Sequence, residues 1–148
     1  ISVPKFGKIA NNIYIARLAE TLSTLIKAGV PILKGIEITS EVVGNSVYAN
    51  ILMDAHENVK TGGTISQTFN EYEQVPHLVT SMLATGEKTG RVDTMLDNIL
   101  RFYSTEAEND IKNLSQLIEP ILILILGIGV GGLVAAILLP IYSLISLA

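Results

Sequence analysis

Residues 121–139 read ILILILGIGVGGLVAAILL, an unbroken run of apolar and glycine positions. Coiled as an α-helix at ~1.5 Å per residue, the run reaches roughly 28 Å, close to the ~30 Å hydrocarbon core of a bilayer. All 24 formal charges (10 Lys and Arg, 14 Asp and Glu) lie at or before Glu119, and 120–148 carries none. A buried core helix this apolar needs a protein shell on every face. The residues before it have a core of their own to fill and cannot supply one. The sequence therefore predicts a transmembrane helix over 119–145, with 146–148 as a short tail and no domain beyond the membrane. Arg101 and Lys112 precede the span and nothing basic follows it. That asymmetry places the soluble part in the cytoplasm and the C-terminus on the far side. Tyr142 then falls near headgroup level. Pro120 stands at the polar–apolar boundary, where its missing N–H is expected to break or kink the helix.

Small residues recur along the span. Gly127 and Gly131 form a GxxxG step that Ala135 extends, and Gly132 with Ala136 lies beside it on the same side. Glycine is common in membrane helices, but a stripe of five small residues lets a second helix approach closely, so these positions are expected to pack helix on helix.

Upstream, apolar positions fall at helical spacing. Ile15, Leu18, Leu22, Leu25 and Ile26 make one stripe over 13–28, ended by Gly29 and Pro31. A second helix opens at Pro31 and carries Ile32, Leu33, Ile36 and Val43 to Gly44, closing a helical hairpin. Ser46 is expected to cap a third, with Val47, Ile51, Leu52, Ala55 and Val59, before Gly62 and Gly63. Thr64 or Ser66 caps a short helix bearing Ile65, Phe69 and Tyr72, and Pro76 opens another over 77–85, stopped by Gly86 with a tight turn at 87–90. The last soluble helix starts near Arg91, with Val92, Met95, Leu96, Ile99, Phe102 and Tyr103 on one side. No strand, internal repeat or second soluble domain emerges. The expected fold is all-α: an antiparallel six-helix cytoplasmic bundle over 11–118 followed by one transmembrane helix, with 1–10 as a linker.

Composition agrees. Hydrophobic residues are 49%, aromatics only 5% and Trp is absent, so the apolar share is aliphatic and suits helices better than a β-sandwich. The net charge of −4 is the reverse of what phosphate neutralisation requires, so nucleic acid is not an expected partner. Without cysteine there is no disulfide, thiolate metal site or Cys nucleophile.

Chemistry-bearing motifs are missing. The GEKTG segment at 86–90 lacks the contiguous Gly-Lys-Ser/Thr of a phosphate loop and the glycine that precedes it, and reads as a corner between helices. Glu87, an acid between two glycines, and Arg91 beside it are the residues expected to make a polar contact with a partner. The GGT segment at 62–64 lacks converging cations for an anion site. His56 and His77 stand 21 positions apart with no HExxH spacing, and Glu106, Glu108 and Asp110 fan out around a helix as a solvated face does. No G-x-S-x-G nucleophile elbow occurs. Catalytic, metal and cofactor sites are therefore expected to be none, and the chain is expected not to be an enzyme.

Four blocks in order carry a family resemblance: LSTLIKAGVPIL at 22–33, GTISQTF at 63–69 followed by Pro76, GEKTG at 86–90, and LIEP at 117–120 leading into the glycine-bearing span that ends at Leu139 and Pro140. The chain resembles the type II secretion F-domain family, polytopic inner-membrane platform proteins of type II secretion and type IV pilus assembly. The resemblance implies a six-helix cytoplasmic bundle followed by the last membrane helix. Family members usually carry two copies of the helical domain and three spans, so one copy and one span imply the C-terminal portion of such a protein, with the opening residues as the link from a preceding span. It also implies the partners: a hexameric cytoplasmic assembly ATPase, pilin-like subunits, other inner-membrane assembly proteins and further copies of the chain as a homo-oligomer. The rival reading is a single-span membrane-anchored helical protein that binds a ligand or signals. It requires a convergent polar site, and the sequence offers none.

Overall fold

The computed structural model describes residues 4–148. Six α-helices follow in order: α1 (Pro4–Lys27), α2 (Ile32–Val42), α3 (Ser46–Lys60), α4 (Ile65–Phe69), α5 (His77–Thr89) and α6 (Val92–Ser146), with no strand among the described residues. Two compact units divide the chain after Asn109.

The first unit is built as the aliphatic stripes dictate. Ile15, Leu18, Ala19 and Leu22 of α1, Ile36 of α2, Ile51 and Leu52 of α3, Phe69 of α4, Leu83 of α5, and Leu96 and Ile99 of α6 close on one another as a single core. Each of the larger side chains among them, fully removed from water, contributes roughly 1.5–3 kcal/mol. The helix ends follow glycine chemistry. At Gly29 (φ 85°) the Val30 N–H donates to the Leu25 carbonyl and the Gly29 N–H to Ile26, both at 3.0 Å. Gly62 (φ 97°) repeats the arrangement, with the Gly63 N–H on Asn58 at 2.8 Å and the Gly62 N–H on Val59 at 3.1 Å. A left-handed residue is what lets these bonds satisfy the last carbonyls.

Several boundaries differ from the sequence reading. Of the expected linker 1–10, residues 1–3 lie outside the described residues, and from Pro4 onward the chain is helical. The reason is that buried Ile9 and Asn12 continue the α1 stripe at spacings of three, and proline is tolerated in a first turn. The cap of α3 is Asn45, whose side chain accepts from the N–H groups of Val47 (2.9 Å) and Tyr48 (3.2 Å), so Ser46 is the first helical residue. Thr64 caps α4 as expected. Helix α5 does not stop at Gly86 but runs to Thr89, and left-handed Gly90 ends it. Helix α6 continues through Pro120 and Pro140 to Ser146, so Pro120 does not end it.

The second unit, from Asp110 on, is the rest of α6. It contains the apolar run and is long and apolar enough to cross a membrane.

Candidate functional site

Helix α4 begins with a closed capping box. The Thr64 hydroxyl accepts from the Gln67 N–H at 3.2 Å, and the Gln67 side-chain oxygen accepts from the Thr64 N–H at 3.0 Å. This leaves the first helical donors, Ile65 and Ser66, without intrahelical partners. Glu87, near the end of α5, supplies the acceptors. Its Oε1 takes the Ile65 N–H at 2.6 Å, and its Oε2 takes the Ser66 N–H at 3.3 Å and the Ser66 hydroxyl at 2.6 Å. The carboxylate thus acts as a clasp between α4 and α5.

The neighbouring glycine explains why the clasp forms here. A Cβ on Gly86 would lie 2.9 Å from Met95 Cγ, 3.0 Å from Val92 Cα and 3.1 Å from the Arg91 carbonyl oxygen. Only glycine lets the end of α5 meet the start of α6 so closely, and the Arg91 N–H donates to the Gly86 carbonyl at 2.8 Å. Arg91 itself is exposed, and among the described residues its guanidinium makes no hydrogen bond or ion pair. Of the two residues expected to contact a partner, Glu87 faces inward to α4 and Arg91 presents a free cation.

Along the apolar part of α6, Gly127, Gly131, Gly132, Ala135 and Ala136 are exposed, and a Cβ at Gly127, Gly131 or Gly132 meets nothing within 4 Å. Bulky neighbours are equally open: Leu124 is 66% and Ile128 69% exposed. In the unit from 110 on, this surface is covered by no other segment of that unit.

Other polar side chains bind elements together. Asp97 of α6 accepts the Ser23 hydroxyl at 2.5 Å and pairs with Lys27 of α1. Lys27 first and then Ser23 hold its carboxyl below the usual aspartate range. Tyr48 of α3 donates to Asn11 Oδ1 and shares the Gln74 carbonyl oxygen (3.1 Å) with the Asn11 amide (3.1 Å). Burial pushes the Tyr48 phenol well above its ordinary range. The sequence showed Ser23, Asp97 and Asn11 only as polar positions flanking apolar stripes, and their helical register was the one available signal. His56 lies 3.2 Å from Glu57, and Glu106 is 3.8 Å from Lys8. Among the described residues no group of three or more His, Cys, Asp or Glu is placed to hold a metal ion.

An all-α domain closed on an aliphatic core, continued by a helix long and apolar enough to cross a membrane, defines a class: all-helical proteins with a candidate membrane span. Within that class the chain belongs to the type II secretion system protein F family, whose model, "Type II secretion system (T2SS), protein F", matches residues 18–140. It is similar to the type IV pilus assembly protein PilC of Pseudomonas aeruginosa, with 35% identity over 97% of this chain and 38% of the relative. Similarity to PilC of Myxococcus xanthus is 36% over 96% of this chain and 34% of the relative. The type II secretion system protein F of Pseudomonas aeruginosa is 32% identical over 97% of this chain and 36% of the relative. The chain therefore spans about a third of the length of the curated relatives it matches.

Proposed function

We propose that the chain is part of a non-enzymatic inner-membrane platform protein of a type IV pilus or type II secretion machine. The platform couples a cytoplasmic assembly ATPase to polymerisation of pilin-like subunits. The observation that carries the reading is the family match across both the helical domain and the apolar helix, with relatives named for pilus assembly and for secretion on nearly the whole chain. In this reading the helical domain lies in the cytoplasm, on the side where Arg101 and Lys112 stand, and α6 crosses the membrane. The domain moves with the ATPase cycle. Arg91 makes a polar contact with a partner, and Glu87 keeps the α4–α5 corner in shape beside it. The Gly127, Gly131 and Ala135 stripe, with Gly132 and Ala136, packs against another platform helix, a second copy or a pilin-like helix.

The test is to tag the full-length protein in its native membrane, cross-link, solubilise gently and identify what copurifies by mass spectrometry. Recovery of a hexameric assembly ATPase with pilin-like subunits supports the reading, and the subunits recovered choose between pilus and secretion. Recovery of neither, with an unrelated receptor or small molecule instead, overturns it.

A further inference from the structure

Beside the Glu87 clasp lies a groove of about 390 Å³ in the first unit. Its floor is aliphatic, with half-buried Ile32, Val59 and Val92 around buried Ile65. The volume falls within the range of small-molecule or side-chain pockets, ~300–1,000 Å³. Its polar edge is acidic, formed by Glu87 and Asp93.

The bordering backbone donors are largely committed. The Gly63 N–H bonds Asn58, the Thr64 N–H bonds Gln67, the Ile65 N–H bonds Glu87 and the Gly90 N–H bonds Gly86. The Asp93 carboxylate, in contrast, has no hydrogen-bond or ion-pair partner among the described residues. Its place in the first turn of α6 complements the helix dipole, which accounts for an acid there but leaves its outward oxygens unused. Two carboxylates over an aliphatic floor disfavour an anion and match a Lys or Arg side chain, whose methylene stem covers apolar surface while the head stays at the polar edge.

We propose that this groove docks a basic–aliphatic segment of a partner protein, seating an aliphatic side chain on Ile32, Ile65 and Val92 and a neighbouring lysine or arginine on Asp93. The proposal goes beyond the platform reading and does not depend on it. Failure of peptide binding leaves the copurification test above untouched.

The experiment uses the full chain, methyl-labelled at Ile and Val, in phosphatidylcholine nanodiscs, where no anionic lipid competes for a cation. The probe is a short capped peptide alternating Leu and Lys. A Leu/Glu peptide and a Ser/Lys peptide of the same length are the comparators. The expected result is saturable shifts at the Ile32, Ile65 and Val92 methyls with the Leu/Lys peptide alone. Asp93→Asn weakens that binding about two- to fivefold, as does added salt, in line with loss of one partly exposed ion pair. Glu20→Gln, at an exposed acid of α1 outside the groove, leaves it unchanged. Equal binding of the Leu/Glu peptide, indifference to Asp93→Asn, or absence of saturable shifts at those methyls overturns the proposal. So do shifts that follow protein concentration without peptide, which assign the groove to a second copy.

Discussion

Removing the Glu87 carboxylate separates an internal clasp from a free surface acid. Glu87→Ala deletes the acceptor for the Ile65 N–H and the Ser66 hydroxyl, both at 2.6 Å, and for the Ser66 N–H at 3.3 Å. Hydrogen bonds to a charged group contribute ~1.5–3 kcal/mol each, and an orphaned buried donor costs ~1–3 kcal/mol. Glu87 is half-buried, so water reaches part of the vacated site and the low end applies. The expected loss is about 2–3 kcal/mol, concentrated at α4, which has only five residues and depends on its caps. Native-state hydrogen exchange of the nanodisc-embedded chain reads this locally. Exchange across 65–69 is expected to speed up on the order of a hundredfold, with a much smaller change in α1. Glu87→Gln keeps one oxygen acceptor and is expected to lose only about 1 kcal/mol. Unaltered exchange across 65–69 in the alanine variant refutes the clasp and returns Glu87 to the role of an outward contact.

Gly86→Ala is expected to cost ~1–3 kcal/mol in thermal or denaturant unfolding, because two of the three atoms a Cβ meets are backbone and cannot turn aside; a neutral result contradicts the close approach of α5 and α6. Asp97, held low chiefly by Lys27, contributes stability that is fully present above its unfolded pKa and is lost as pH falls through the lower folded value. Asp97→Asn should therefore flatten the acid limb of a stability–pH curve, with an effect of about 1 kcal/mol or less because the pair is partly exposed and screened by salt. Gly131→Ile leaves the isolated chain as stable as before, since the site is open. The same change is expected to impair assembly and secretion in cells by blocking close helix packing, and normal assembly by that variant discards the packing role of the stripe.

Much of the helical order was legible because its signals are local. Stripes at spacings of three and four, with Gly29, Gly44 and Gly62 behind them, mark α1 to α3 before any contact is known. The misreadings arose where one residue type serves two purposes. Gly86 looks like a helix stop, but its missing side chain serves the approach of another helix, and the stop falls four residues later at Gly90. Buried Asn12 interrupts an apolar pattern although it sits in register, which hid the first turns of α1. At Pro120 the helix runs on despite the lost donor, because one missing bond does not end a helix of 55 residues.

Glu87 shows the limit most clearly. Its position between two glycines singles it out, yet its partners stand 21 and 22 positions earlier in the chain. The Thr64–Gln67 box did hold a clue, since it satisfies its own two ends and leaves Ile65 and Ser66 in need of an acceptor from elsewhere. The small-residue stripe was legible as a pattern, and a Cβ at Gly127, Gly131 or Gly132 meets nothing within 4 Å.

The central claim is that the helical domain meets an assembly ATPase while the apolar helix meets membrane partners. Placing a photo-crosslinking amino acid at Arg91 and, separately, at Gly131 of the full-length protein in its native cell tests this directly. The account predicts ATPase adducts from position 91, and adducts with platform or pilin-like membrane helices from position 131. ATPase adducts from neither position, with position 91 captured only by periplasmic proteins, contradict both the orientation and the coupling role.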